Sequence, residues 1–131
     1  MREGKIIVII LYAIMSITPL SYGFNDTETY SIRRFALIVG SNNGGTELPQ
    51  LKYTINDITG ISNILSEIGG VKKEDSLMLF NPDKKELKDG FSQVTHIINN
   101  KTRKNAKVEF LFYFSGHSDH TSLLLHEEKY E

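Results

Sequence analysis

His117 is the residue best equipped to do chemistry, and it lies in the stretch Phe112-Tyr113-Phe114-Ser115-Gly116-His117-Ser118-Asp119-His120. An imidazole takes up and releases protons near neutral pH, which suits it to general acid–base catalysis. A proton shuttle needs a nucleophile to activate. Ser115, Ser118 and Ser122 are close in sequence, but all sit on the histidine's own loop and are poor candidates for that role. His117, Asp119, His120 and His126 carry metal-binding groups, yet their spacing is loose. One tight loop cannot easily aim all four at a single ion. No metal or other cofactor is expected. The 131 residues include no cysteine, which excludes disulfides, thiolate metal sites and a cysteine nucleophile among them.

The elements that must position His117 follow from hydropathy. Val108 to Phe114 is apolar except for Glu109, so both faces of the segment expect cover. That pattern predicts an inner strand of a parallel sheet. Ser115-Gly116 then turns the chain. His117 is thereby expected just past the carboxyl end of a strand, the edge where open α/β sheets bind ligands.

Upstream, Phe35 to Val39 reads as a first strand ended by Gly40, and Ser41 to Gly45 as a loop. Gly40 and Gly45 have phosphate-loop separation. However, Thr46 replaces the required lysine, so a plain strand-to-helix loop is expected. Leu51, Ile55, Ile58, Ile61, Leu65 and Ile68 form an apolar stripe on a helix from about Lys52 to Ile68. Asn56 and Asp57 fall in its early turns, where such side chains are favourable, and Gly69-Gly70 ends it. Ser76 to Phe80 is a second strand. Asn81-Pro82 turns the chain, and Asp83 with Glu86 forms a capping box. A second helix carries Leu87, Phe91, Val94 and Ile97 or Ile98. Lys101 to Lys107 reads as a solvated basic connector, and Ser122 to Leu125 as a short extra strand. The order β-α-β-α-β predicts an α/β fold with parallel strands, right-handed crossovers and helices on both faces.

The charge balance, -1 overall, gives no field toward nucleic acid, and no nucleic-acid partner is expected. Arg2 and Lys5 precede an apolar run from Ile6 to Ile17, with Pro19 and Ser21-Tyr22-Gly23 beyond it. That is the pattern of a signal peptide over residues 1–23. The run is short of the ~20 residues a membrane span needs. Export to a secreted or periplasmic location is therefore expected, with an uncleaved anchor or a buried helix as alternatives. Membrane contact is expected only through an uncleaved signal. Residues 24–33 read as a linker and 34–131 as one domain. The sequons at Asn25 and Asn100 matter only in a host that glycosylates exported proteins.

Four pieces of this chain resemble the caspase-like cysteine peptidases, the clan of caspases, metacaspases and bacterial relatives. Arg34 to Gly40 is similar to the family's first strand. Leu51-Lys52-Tyr53 with Asn56-Asp57-Ile58 is similar to the start of its first helix, and Leu77 to Pro82 to its second strand and turn. Phe112 to Ser118 resembles the strand and loop that carry its catalytic histidine, and is the most specific of the four. The resemblance implies His117 as general acid/base for a cysteine nucleophile on the next strand. It also implies the Ser118 N–H as one oxyanion donor, where many relatives have glycine. Asp57 matches the acidic position that helps metacaspase-type relatives accept arginine or lysine. A helix-start aspartate is the alternative reading, and Lys52 is no convincing match for the arginine of aspartate-specific relatives.

The family's cysteine follows its histidine by roughly 50 residues, farther than this chain runs. The expectation is a partial caspase-like three-layer α/β/α fold truncated after the third main strand. It would be an N-terminal fragment of a cysteine endopeptidase, inactive alone, acting on peptide or protein substrates only if a C-terminal half completes it. The alternative is a non-catalytic secreted interaction module binding a partner at its open sheet edge. Either way the third strand lacks a neighbour and exposes unpaired backbone. Native-state hydrogen exchange of the purified monomer should then leave amides within residues 108–114 poorly protected. Strong, uniform protection there would contradict the missing neighbour.

Overall fold

A strand whose last six residues are all buried forms the centre of the molecule: β1, Ile32–Gly40. The computed structural model describes residues 31–103, 106–125 and 128–130. The expected signal segment, 1–23, and most of the expected linker lie outside the described residues. β1 itself begins at Ile32, within the stretch read from sequence as a linker. After it come α1 (Thr54–Glu67), β2 (Val71–Phe80), α2 (Lys84–Lys101), β3 (Lys107–Ser115), β4 (Leu123–Leu125) and β5 (Glu128–Tyr130). β1 lies between β2 and β3 and is parallel to both, while β4 and β5 form a separate antiparallel pair.

Strand alternation sorts β1 onto two cores. Phe35, Leu37 and Val39 pack with Leu87 and Val94 of α2 and with Leu125 of β4. Ala36 and Ile38 face the other way, onto Ile58 of α1 and Val71. One helix therefore covers each face, which gives the expected three-layer α/β/α arrangement. Gly90 allows α2 to lie close on its face, because a Cβ there would come within 2.8 Å of Leu79. Asp83 caps α2 by accepting from the Glu86 N–H, while Glu86 accepts in return from the Asp83 N–H, so the capping box is present.

Three sequence expectations change. The apolar stripe of α1 is narrower than its periodicity suggests: Ile58 is buried, but Ile55 and Ile68 are exposed. The helix begins at Thr54, which puts Ile55 about 80° from the line through Thr54 and Ile58, and Ile68 lies beyond the last turn. Secondly, β3 does not have the cover on both faces that its hydropathy predicts. Its pairing is parallel as expected and, as the resemblance implied, β1 is its one ladder partner among the described strands. Phe110, Leu111 and Phe112 remain 44%, 41% and 38% exposed, with the Phe91 ring against the two phenylalanines.

Thirdly, Lys101 is not part of a solvated connector. It ends α2 and enters an ion cluster. Lys72 to Asp75 of β2 stand between the paired Val71 and Ser76, while Phe35 alone separates their β1 partners Arg34 and Ala36. This bulge delivers Asp75, fully buried, to Arg33. Arg33 donates from Nε at 2.8 Å and Nη2 at 3.0 Å to the two carboxylate oxygens, and Lys101 Nζ donates at 2.9 Å. Arg33 Nη1 also donates to the Lys101 carbonyl, and Lys101 Nζ to the Glu74 carbonyl. Burial works to raise the Asp75 carboxyl, but the bonds from Arg33 and Lys101 outweigh it and hold the group below its ordinary range.

A carboxyl depressed in the fold stabilises fully above its unfolded pKa and loses that contribution as pH falls through its folded value. Asp75→Asn should cost about 3 kcal/mol at pH 7, near the low end for breaking a buried pair. The low end applies because Arg33 and Lys101 side chains keep 30% and 32% of their surface in water. Urea unfolding should show the gap between wild type and D75N begin to narrow below about pH 4, where the carboxyl of the unfolded chain protonates, and close as pH falls through the lower folded value.

Candidate active site

The carboxyl ends of the strands are fastened to one another. The Ser41 N–H, just after β1, donates to the Ser115 carbonyl at 2.8 Å. The Asn81 N–H, just after β2, donates to the Gly40 carbonyl at 2.7 Å, and the Asn81 side chain accepts from the Asn42 N–H. Asn81 has φ 50°, a left-handed conformation that asparagine tolerates better than most residues. Gly116 lets β3 leave the sheet beside β1, since a Cβ there would lie 2.5 Å from the Phe114 ring and 2.9 Å from the Ser41 carbonyl oxygen.

His117 follows at once, half-buried, past the end of β3 as expected. Its Nε2 lies 2.8 Å from the Pro49 carbonyl oxygen. A carbonyl can only accept, so Nε2 carries the proton in this bond and a neutral ring keeps its lone pair on Nδ1. The chain then folds back in a tight hairpin. The Leu124 N–H donates to the His117 carbonyl and the Asp119 N–H to the Ser122 carbonyl. These bonds flank the antiparallel bridge between Ser118 and Leu123. Ser118 is thus in a non-hydrogen-bonded pair, and its N–H turns away from Leu123. The Asp119 carboxylate fixes the hairpin tip by accepting from the N–H groups of Thr121 and Ser122.

Asp57 arrives from the first turn of α1. Gly40 permits this closeness, because a Cβ there would lie 3.0 Å from Ile58 Cγ2 and 3.3 Å from the Thr54 carbonyl oxygen. The Ser115 hydroxyl donates to Asp57 Oδ2 at 2.8 Å. The structure thus joins Asp57 to the strand that carries His117, through a serine whose hydroxyl had no assigned partner in the sequence reading. Among the described residues no group of three metal-ligating side chains could hold an ion; His126 lies outside them.

A caspase domain family model matches residues 33–130. The chain belongs to the caspase domain family. It is 30% identical over 115 residues to a metacaspase-1 of Sclerotinia sclerotiorum, which covers 85% of this chain and 26% of that protein. It is 28% identical over 122 residues to a metacaspase-1 of Ajellomyces capsulatus, covering 85% and 33%. A metacaspase-1 of Pyricularia oryzae is 28% identical over 107 residues, covering 79% and 26%. The chain spans about a quarter to a third of the length of these relatives. No solved structure matches significantly.

Within this caspase domain, sequence reasoning missed Pro49 and the role of the Ser115 hydroxyl. Pro49 had no signal to give, because it contributes a main-chain carbonyl that any residue would supply. Ser115 did have one, as the last residue of the strand whose end faces the helix start. At alkaline pH, long-range proton–nitrogen NMR should show His117 as the Nε2–H tautomer. The opposite tautomer would mean that the Pro49 bond is not formed in solution.

Proposed function

We propose that these residues are the histidine-bearing part of a caspase-type cysteine endopeptidase acting beside arginine or lysine. His117 is the general acid/base, and the Ser118 N–H is one of two oxyanion donors. The second donor and the thiol come from a segment outside these 131 residues. The observation that carries this reading is the Nε2 bond to Pro49. It spends one ring nitrogen on orientation and leaves Nδ1 to accept a proton, the division of labour a general base requires. The outward Ser118 N–H suits an oxyanion, which needs a preformed donor without another partner.

Asp57 supports a preference for basic side chains. Ser115 holds one carboxylate oxygen in place, and the anion has no cation bonded to it among the described residues. A substrate guanidinium or ammonium would supply one. Residues 1–23 are proposed as an export signal and 34–131 as part of the peptidase domain. A second reading, a binding module without hydrolysis, draws on the exposed Phe110, Leu111 and Phe112 at the free edge.

A chimera tests these readings. Residues 24–130 are joined to the segment that follows the matched region in the Sclerotinia sclerotiorum metacaspase. It should cleave arginyl and lysyl reporter peptides, and His117→Ala should lower kcat about 10²–10⁴-fold. Asp57→Asn should reduce kcat/KM for these peptides more than for neutral ones. The 131 residues alone should cleave nothing. Turnover by them alone, or by the chimera carrying H117A at the unmutated rate, would overturn the proposal. A folded, inactive chimera would favour the binding module.

A further inference from the structure

We propose that Gly44 is a positioning residue for His117, and that its bare Cα is the seat on which the imidazole rests. A Cβ built on Gly44 would lie 2.6 Å from His117 Cδ2 and 2.8 Å from both its Cγ and Cβ. Real side chains do not tolerate such approaches, so either the ring or the loop would have to move. The backbone does not explain this glycine. The described glycines with positive φ are Gly45 and Gly70, and Gly44 is not among them. A side chain is therefore refused at position 44 by the space the histidine occupies, not by the turn.

The loop is also poorly free to retreat. The Ser41 N–H is bonded to Ser115, the Asn42 N–H to Asn81, the Leu51 N–H to the Asn42 carbonyl and the Gly45 N–H to the Asn43 side chain. The same loop supplies the Pro49 carbonyl that holds Nε2. His117 is thus held at two points by one segment: by contact at Gly44 and by a hydrogen bond at Pro49. A methyl group at 44 pushes on the ring where the loop cannot yield, and the bond to Pro49 is the contact that gives way.

The test is a double-mutant cycle with a spectroscopic readout. Gly44→Ala in the otherwise native chain should replace the Nε2–H signature of His117 with the averaged nitrogen pattern of a free imidazole. It should also lower the folding equilibrium constant about tenfold, as overpacking does. The second background is His117→Gly, because the histidine's own Cβ is one of the three close atoms. There, Gly44→Ala should cost nothing or stabilise slightly, since alanine restricts the unfolded chain. Gly60→Ala, at a helical position with nothing within 4 Å of the added methyl, serves as the control and should leave the tautomer unchanged.

Retention of the Nε2–H signature in G44A would overturn the proposal. So would an equal stability loss in the His117→Gly background, which would assign the strain to the loop itself. These two arms need no activity. The catalytic consequence rests on the peptidase reading: in the chimera, G44A should lower kcat about 10²-fold with KM nearly unchanged. An inactive parent chimera would fail that reading, while the spectroscopic arms would still decide the role of Gly44.

Discussion

The candidate site depends on the hydrogen bonds that tie the strand ends together at Gly40 and Ser41. A parallel sheet supplies regular ladder bonds only as far as its strands run; beyond them each chain is free to diverge. Here the Gly40 carbonyl takes the Asn81 N–H and the Ser41 N–H is given to the Ser115 carbonyl, so the exits of all three strands are fixed to one point. Buried backbone groups need partners, and each of these bonds satisfies a donor and an acceptor that would otherwise be stranded at the sheet's rim. The glycines at 40 and 116 belong to the same constraint, because they remove the side chains that would hold α1 and β3 away from that point. His117, Ser118 and Asp57 inherit their places from it.

The buried ion cluster and the proposed site occupy opposite ends of the strands. The Arg33–Asp75–Lys101 cluster binds the start of β1 to the β2 bulge and to the end of α2. None of its members approaches the carboxyl edge in the register of the sheet. The separation has a physical use. Groups that must change charge or exchange protons work best with access to water, whereas a buried carboxylate with two cations is most secure when nothing titrates nearby. A substitution at one end can therefore be read as a change of stability and one at the other as a change of site geometry, since contacts so distant are close to additive.

How much of this was legible in the sequence depended on the range of the interaction. The apolar run of Phe35 to Val39, the stripe of α2 and the Asp83–Glu86 cap are local patterns, and each reads correctly because the signal itself lies within a short stretch of chain. The apolar run and the Ser115-Gly116 turn before His117 placed it at a strand end for the same reason. The first half of β2 was lost because Lys72-Lys73-Glu74-Asp75 has no apolar alternation; it is a bulge whose one buried side chain is explained by Arg33, 42 residues away. Lys101 looked like the start of a basic loop because its partners lie on β2. The Ser115–Asp57 bond spans 58 residues and the His117–Pro49 bond 68, and nothing local announces either.

The two outer edges of the described sheet are built differently, and the difference says which one is better suited to a further strand. β2 protects itself: Lys72, Lys73 and Glu74 are exposed, and its bulge disrupts the regular row of backbone groups that another strand would need. Charge and irregularity are the usual means of blunting an edge. Met78 and Phe80 are exposed farther along β2, but they follow that interruption. β3 has none of these devices over Phe110 to Phe114. Its register with β1 is unbroken, and its one inward-reading charge, Glu109, is bonded to Arg34 on the neighbouring strand instead of guarding the margin. A regular strand with apolar side chains on both faces is a template for further pairing. It is also the strand that delivers His117 and the outward N–H of Ser118. A neighbour added along β3 would end beside the imidazole, whereas one added along β2 would end beside the Asn81-Pro82 turn, on the far side of β1. The edge better suited to a further strand is therefore the edge along which the proposed nucleophile would reach the histidine.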